Sequence, residues 1–390
     1  MEGPLQPFRL RQLLGYFLQL GTLGFGGPIA LAGYMQRDLV ERRRWISRED
    51  YLEGLALAQL APGPLAAQLA MYLGWVKAGV PGATLVGFAF ILPSFVMVLG
   101  LSAAYLAFGG LGWMQGAFYG VGAAVIAIIA RSVVKLTGLT LRRDRALWAV
   151  FAVLAAATAY TETEIVWLFL GSGIAVMLWR ERRARPPTAA LAAVPPWLLA
   201  GLAGPASLGT LGKILWFFMS AGAVVFGSGL AIVPFLHGGV VRDFGWLSER
   251  QFLDAVAVAM ITPGPVVITV AFIGYLVAGP AGAAVASLGV FLPCYLFVIV
   301  PAPHFRRFAK NARINAFVDG VSAAATGAIA GACWVLGRRA LWNEAAARFE
   351  WPAVAVLAAS AVLLWKVKKL PEPLLIAAAA VTGIALRGGG

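Results

Sequence analysis

Two glutamines, Gln59 and Gln68, flank the string Pro62-Gly63-Pro64, three residues before it and four after it, within otherwise apolar sequence. Side chains so placed fall close to one helical face, and their amides can donate to an oxygen-rich ligand or to a neighbouring helix. A proline removes a backbone donor and a glycine weakens a helix, so the string must interrupt any helix it lies in. Phe25-Gly26-Gly27-Pro28 does the same one segment earlier. Half-helices that begin at such breaks present unpaired N–H groups and the positive end of the helix dipole, which suits an oxyanion without a fixed cation. Close helix packing through Gly21, Gly24 and Gly27 is the alternative use of these small residues.

Other chemistry is sparse. Arg131 and Lys135 stand toward the end of an apolar segment, and Arg131 is the candidate for a fixed cation facing an anion path. Glu53 and Asp254 each precede a P-G-P string by nine residues, where a carboxylate caps a helix or relays protons. Cys294 and Cys333 lie in apolar runs without a C-x-x-C partner, and His237 and His304 are isolated. No disulfide framework, metal site or cofactor is expected from them. H-E-x-x-H, G-x-S-x-G and G-x-x-x-x-G-K-[ST] are all missing from the sequence, which argues against an enzyme and against coupling to ATP.

The elements that must position these residues are membrane helices. Apolar residues make up 61% of the 390 positions and charged residues 12%, far from the composition of soluble domains. Apolar segments approaching or exceeding the ~20 residues that span a bilayer recur along the chain. They are predicted at 10–36, 51–78, 81–108, 113–137, 145–160 and 164–179, and again at 213–240, 252–278, 281–303, 314–337, 351–365 and 373–387. The expected fold is an all-α, polytopic membrane bundle. The N-terminal stretch lacks a short apolar core with a small-residue cleavage site and reads as mature sequence. The net charge of +14 falls in loops, where it sets orientation, and does not point to nucleic acid.

The chain is duplicated. Phe25-Gly26-Gly27, Trp45-Ile46-Ser47, Pro62-Gly63-Pro64 and Ile91-Leu92-Pro93 recur in order as Phe226-Gly227-Ser228, Trp246-Leu247-Ser248, Pro263-Gly264-Pro265 and Phe291-Leu292-Pro293. The offset is 201 residues up to the P-G-P string and 200 by Gly74 and Gly274. Thr262 precedes the second P-G-P and Ser228 replaces Gly27, so the second copy carries different donors. A charged, Pro-rich stretch, 180–196, marks a linker, giving an N-terminal repeat over 1–185, a linker with an extra apolar stretch over 186–211, and a C-terminal repeat over 212–390. Equivalent loops carry opposite charge: Glu162 and Glu164 in the first copy match Lys366, Lys368 and Lys369 in the second. Under the positive-inside rule the repeats are inverted relative to one another, which requires an odd crossing between them, for which 197–211 is the candidate. Breaks in hydrocarbon survive only where they are buried in protein or line a wet cavity, so all four are expected near one central site. Whether the broken segments are kinked crossings or re-entrant hairpins stays open.

The strings from Phe25 to Gly74 and from Phe226 to Tyr275 resemble the chromate ion transporter family in its long, two-domain form, and the likeness covers nearly the whole chain. The resemblance implies a multi-pass inner-membrane protein that exports chromate and so confers resistance, with antiparallel halves. The family's motifs fall on Gly26, Gly27, Pro28, Trp45, Gln59, Pro62, Gly63, Pro64 and Gln68, and on Gly227, Trp246, Pro263, Gly264 and Pro265. The chain departs from the pattern at Leu31 and Leu65-Ala66-Ala67, where many members carry histidine and small hydroxyl residues. The site expected is these motif residues with Arg131, Ser228 and Thr262. Its ligand is chromate or a sulfate-like oxyanion, moved by alternating access, and uptake or exchange of sulfate or another oxyanion is the alternative. The bilayer is the other partner, and a homodimer is left open.

Overall fold

The computed structural model describes residues 5–25, 27–108, 111–141, 144–161, 166–181, 208–224, 232–305, 312–343, 348–367 and 372–387. The first repeat opens with two hairpins. α1 (Leu10–Leu23) stops at Gly24, and α2 (Gly27–Met35), continued by the π-helical Gln36–Arg42, runs back toward the start of α1. The two ends meet: the Gln6 N–H donates to the Arg44 carbonyl at 2.9 Å, and Phe8 stacks on Trp45 at 5.1 Å.

The second hairpin is α3 (Arg48–Leu60) with residues 65–77 of α4 (Leu65–Phe108). Ser47 caps α3 by accepting from the Asp50 N–H at 3.0 Å, and Ser248 forms a capping box with Gln251 at the start of α10 (Glu249–Ile261). The repeated W-x-S string is therefore a helix start. α3 and the returning limb lie side by side. A Cβ on Gly54 would strike the ring of Tyr72, and both residues are nine positions from Gly63. In an uninterrupted helix they would be about 27 Å apart. The P-G-P segment is thus a re-entrant hairpin.

A second break, with Gly79 at φ +61, turns the chain into the long limb of α4, residues 80–108. Lys77 Nζ sits 3.9 Å over the Phe8 ring, so this turn shares an end of the molecule, here called end A, with residues 8 and 45. The long limb runs about 43 Å to the opposite end, B. α5 (Gly112–Thr140) returns to end A, and α6 (Arg145–Thr161) and α7 (Val166–Glu181) complete the repeat. The second repeat contains α8 (Leu208–Val224), α9 (Ile232–His237), the π-helical Gly238–Asp243, α10, α11 (Thr269–Ile299, broken at Ala278-Gly279), α12 (Ala312–Leu341), α13 (Trp351–Lys366) and α14 (Glu372–Arg387). Between α12 and α13, Trp342–Asn343 and Arg348–Phe349 pair as a two-residue antiparallel ribbon.

Contacts between the repeats fix their relative direction. Tyr105, near the B end of α4, donates to Asp254 at 2.7 Å, close to the start of α10. Arg250 donates to the Gln115 carbonyl at 3.1 Å and Arg242 to the Thr161 carbonyl, both at end B. At end A, Arg180 bridges Asp144 at 3.0 Å and Asp319 at 2.8 Å, tying the end of α7 to the start of α12. α10 thus starts where α3's partner limb never reaches, and α12 starts where α5 ends. The repeats are inverted.

They are also interlocked. α6 and α7 pack on α12 of the second repeat, while α13 and α14 pack on α5 of the first. Backbone-to-backbone approach makes this possible: a Cβ on Gly120 or Gly383 would enter the facing chain of α14 or α5, and one on Gly327 would enter the carbonyl of Phe151. Small residues at helix crossings are the usual source of packing energy in lipid, where burial of apolar surface gives none.

Four stretches, Leu65–Phe108, Gly112–Gly138, Val266–His304 and Ala312–Arg338, are long and apolar enough to cross a membrane. Phe88, Leu92 and Val96 turn outward from the long limb, as lipid contact requires. The segments predicted at 10–36 and 51–78 are each two helices, because the glycine–proline strings end one helix and start the next. Of the stretch 197–211, residues 197–207 lie outside the described residues, and Leu208 opens α8. Replacing Gly383 by Val should cost the ~1–3 kcal/mol typical of overpacking and so lower the thermal midpoint in detergent. Gly15→Ala, at an open helical position, should leave the midpoint unchanged or raise it; fluorescence-detected melting with both variants checks this.

Candidate functional site

The breaks meet across the repeats. Pro263-Gly264-Pro265 follows α10, and the Gly264 N–H donates to the carbonyl of Gly24, in the first repeat's F-G break, at 2.9 Å. Ser94, one residue beyond Ile91-Leu92-Pro93 on the long limb of α4, has its Oγ 2.7 Å from the Pro263 carbonyl and 3.3 Å from that of Gly21. The hydroxyl proton goes to the nearer oxygen. One side chain thereby holds the second repeat's P-G-P against the first repeat's α1.

The pseudo-equivalent junction has the same plan with a weaker clasp. Cys294 matches Ser94, and its Sγ lies 3.0 Å from the Val290 carbonyl of its own helix and 3.8 Å from that of Gly222, the counterpart of Gly21. A Cβ on Gly63 would come within 2.8 Å of this sulfur. Gly63 and Gly264 both adopt positive φ, +132 and +92, which only glycine takes without strain. Each P-G-P is therefore seated between the long limb and the α1-type helix of the other repeat.

The first P-G-P is the more polar. Gln68 is fully buried and its Nε2 donates to the Pro62 carbonyl at 2.5 Å, while its Oε1 has no hydrogen-bond partner among the described residues. The Ala67 and Gln68 N–H groups close on the Pro64 carbonyl at 2.9 and 3.1 Å. Those of Leu65 and Ala66 stand at the helix N-terminus, where the helix itself supplies no acceptor. The site offers backbone amides, one buried amide oxygen and the positive ends of half-helices, walled by Leu65, Ala66 and Ala67. It can hold an anion by N–H groups and dipoles alone.

The other residues singled out in the sequence fall as follows. Gln59 is exposed, so the two glutamine amides do not share a buried face. Pro28 occupies the first turn of α2, where its missing N–H costs nothing. The Thr262 hydroxyl donates back to the Val258 carbonyl at 2.6 Å and closes the end of α10. Arg131 lies with Lys135 on α5, in the field of Glu372 at the start of α14. Gly26, Gly227 and Ser228 lie outside the described residues, and for Gly27 only the backbone is described. Ser94 was not anticipated. Its signal was its place next to the repeated L-P string, with a hydroxyl in one copy and a thiol in the other.

The two ends differ. End A is tied by the Arg180 ion pairs. Burial works against the Asp144 carboxylate there, but the Arg180 hydrogen bond and the Ala146 and Leu147 N–H groups outweigh it and hold its pKa below the ordinary value. End B has a cavity of about 280 Å³, lined by Tyr119, Glu249, Arg250, Asp254 and Glu350 together with apolar residues.

The model of the family described as chromate transporter matches residues 11–177 and 212–384, one copy for each repeat. The chain is 57% identical to a chromate transport protein of Cupriavidus metallidurans, over 97% of this chain and 93% of that protein. It is 55% identical to a probable chromate transport protein of Synechococcus elongatus, over 97% and 95%, and 35% identical to a chromate transport protein of Pseudomonas aeruginosa, over 83% and 80%. No solved structure matches it. Two inverted copies of the matched unit, joined at their helix breaks, account for nearly all of the described residues, and the chain belongs to the chromate transporter family.

Proposed function

We propose that this protein exports chromate from the cell across the bacterial inner membrane by alternating access, and so confers chromate resistance. The observation that carries the reading is the crossed seating of the P-G-P strings. The Gly264 N–H bonds to Gly24 and Ser94 bonds to Pro263, so rocking one repeat on the other remakes the contacts around both half-helix ends. The substrate comes from the names of the relatives. A backbone site of N–H groups and dipoles recognises the tetrahedral dianion and asks for no fixed cation.

The energetics favour export. A dianion leaving a cell whose interior is 100 mV negative gains about 2.3 kcal/mol per charge, about 4.6 in all, enough for roughly a thousandfold gradient. Orientation follows from the positive-inside rule. Arg9, Arg42, Arg43, Arg44, Lys77, Arg145 and Arg180 crowd end A, which we take as cytoplasmic, with end B outside.

Cells making the protein should accumulate less labelled chromate than cells without it, and Gly63→Val or Gly264→Val should abolish the difference; equal accumulation with and without the wild-type protein would sink the reading. Excess sulfate that blocks chromate flux in sealed vesicles would show a site for tetrahedral dianions in general. Ser94→Ala strands a buried carbonyl at a cost of about 1–3 kcal/mol, so export should fall by roughly tenfold, whereas Cys294→Ala, removing a far weaker contact, should change it little. A single cysteine at Gln6 should be labelled by a membrane-impermeant reagent only after the membrane is opened, and one at Gln115 in intact spheroplasts.

A further inference from the structure

Asp254 is the carboxylate that the proposed transport leaves unused. It is 4% exposed, on a re-entrant helix, at the inner edge of the end-B cavity. Its hydrogen-bond donor is the Tyr105 hydroxyl at 2.7 Å, and among the described residues no Lys, Arg or His nitrogen comes within the 4.0 Å of an ion pair. The groups facing it are Tyr105 from α4, Tyr119 from α5, Glu249 and Arg250 from its own helix, and Glu350 ahead of α13. Arg250 is turned to the Gln115 carbonyl, Glu249 contacts His237 at 2.7 Å, and Glu350 accepts from Tyr119 at 3.2 Å. A buried carboxylate so placed is costly to keep charged, and a proton from the cavity is the cation that relieves it.

The same residue is tied to the breaks. α4 and α10 are joined at two points, Tyr105 to Asp254 and Ser94 to Pro263, about 15 Å apart along each helix. A change of charge at the first point acts on the two elements that hold the second P-G-P at the other. The first repeat cannot duplicate the device: the positions matching Asp254 and Tyr105 are Glu53 and Phe305, and phenylalanine has no hydroxyl.

We propose that Asp254 binds a proton that travels with the transported oxyanion. The proposal rests on the transport reading above. Neutralising Asp254 removes a negative charge from the end-B path of a dianion, so proton and anion favour each other's binding, and by linkage each raises the other's affinity equally. In export the proton is taken up together with the anion from the cytoplasmic side, sits on the carboxylate while Tyr105 stays within hydrogen-bond reach, and leaves with the anion through the end-B cavity; inward flux runs the same steps in reverse. One proton with one dianion carries a single net negative charge, which a negative interior still expels.

Proteoliposomes holding the full chain test this with labelled chromate, the membrane potential clamped at zero by potassium and valinomycin. A gradient of one pH unit, acid outside, should drive inward accumulation of up to about tenfold, a factor of ten in proton activity being available. Asp254→Asn should lose this response and keep chromate–chromate exchange, and Tyr105→Phe should keep the response with its pH dependence shifted. In lightly buffered alkaline solution, chromate binding to the wild type should take up protons, and to Asp254→Asn it should not. Wild-type flux indifferent to the pH gradient, an Asp254→Asn protein that still responds, or a folded Asp254→Asn protein without exchange would each overturn the proposal. If Asp254→Asn does not fold, the wild-type proton uptake and Asp254→Glu decide: a coupled Asp254→Glu supports it, and a folded but uncoupled one with no proton uptake in the wild type overturns it. Wild-type vesicles with neither exchange nor gradient-driven flux would instead overturn the transport reading itself.

Discussion

A single backbone hydrogen bond, from the Gly264 N–H to the Gly24 carbonyl, states the constraint on which the fold rests. A helix broken inside hydrocarbon leaves N–H and C=O groups that lipid cannot satisfy, at several kcal/mol each. At the second P-G-P the chain meets that cost by turning the break toward the other repeat, whose F-G break supplies an acceptor for Gly264 and whose long limb supplies a donor for Pro263. Ser94 and Gln68 are the side chains recruited for what the backbone leaves over. Inversion and the central position of the P-G-P strings both follow from this pairing.

Much of this could be read from residue order. The duplicated strings, the membrane class and the inverted sense of the repeats were written in spacing and loop charge, because proline, glycine and arginine act through local rules that hold wherever the chain goes. The choice between kinked crossing and re-entrant hairpin was not legible. It depends on whether Gly54 meets Tyr72, a contact between residues on either side of the turn that no periodicity encodes. The site was legible in part: Gln68 and the glycines of both P-G-P strings stand at the junction, while Gln59 is exposed and Arg131 answers to Glu372. Ser94 and Tyr105 escaped notice because their partners lie 169 and 149 residues away.

The two copies keep one geometry and have parted in chemistry. Serine faces cysteine at the clasp, tyrosine faces phenylalanine at the B end of the long limb, and the buried glutamine of the first P-G-P faces Thr269 in the second. Inverted repeats with identical side chains would present the same site to both sides of the membrane. Divergence makes the two sides distinguishable, and a transporter whose two faces differ can bind on one and release on the other with different affinities.

The exchange of peripheral helices between repeats sets an order of events during synthesis. α5, α6 and α7 are made before α12, α13 and α14, yet each packs on an element of the later group. Until the ribosome has delivered the second half, the glycine-lined faces of α5 and the inward faces of α6 and α7 have only lipid beside them. The first repeat therefore matures as a loosely assembled intermediate, exposed to insertion chaperones and proteases for as long as translation of its twin takes, and any pause in the linker lengthens that exposure.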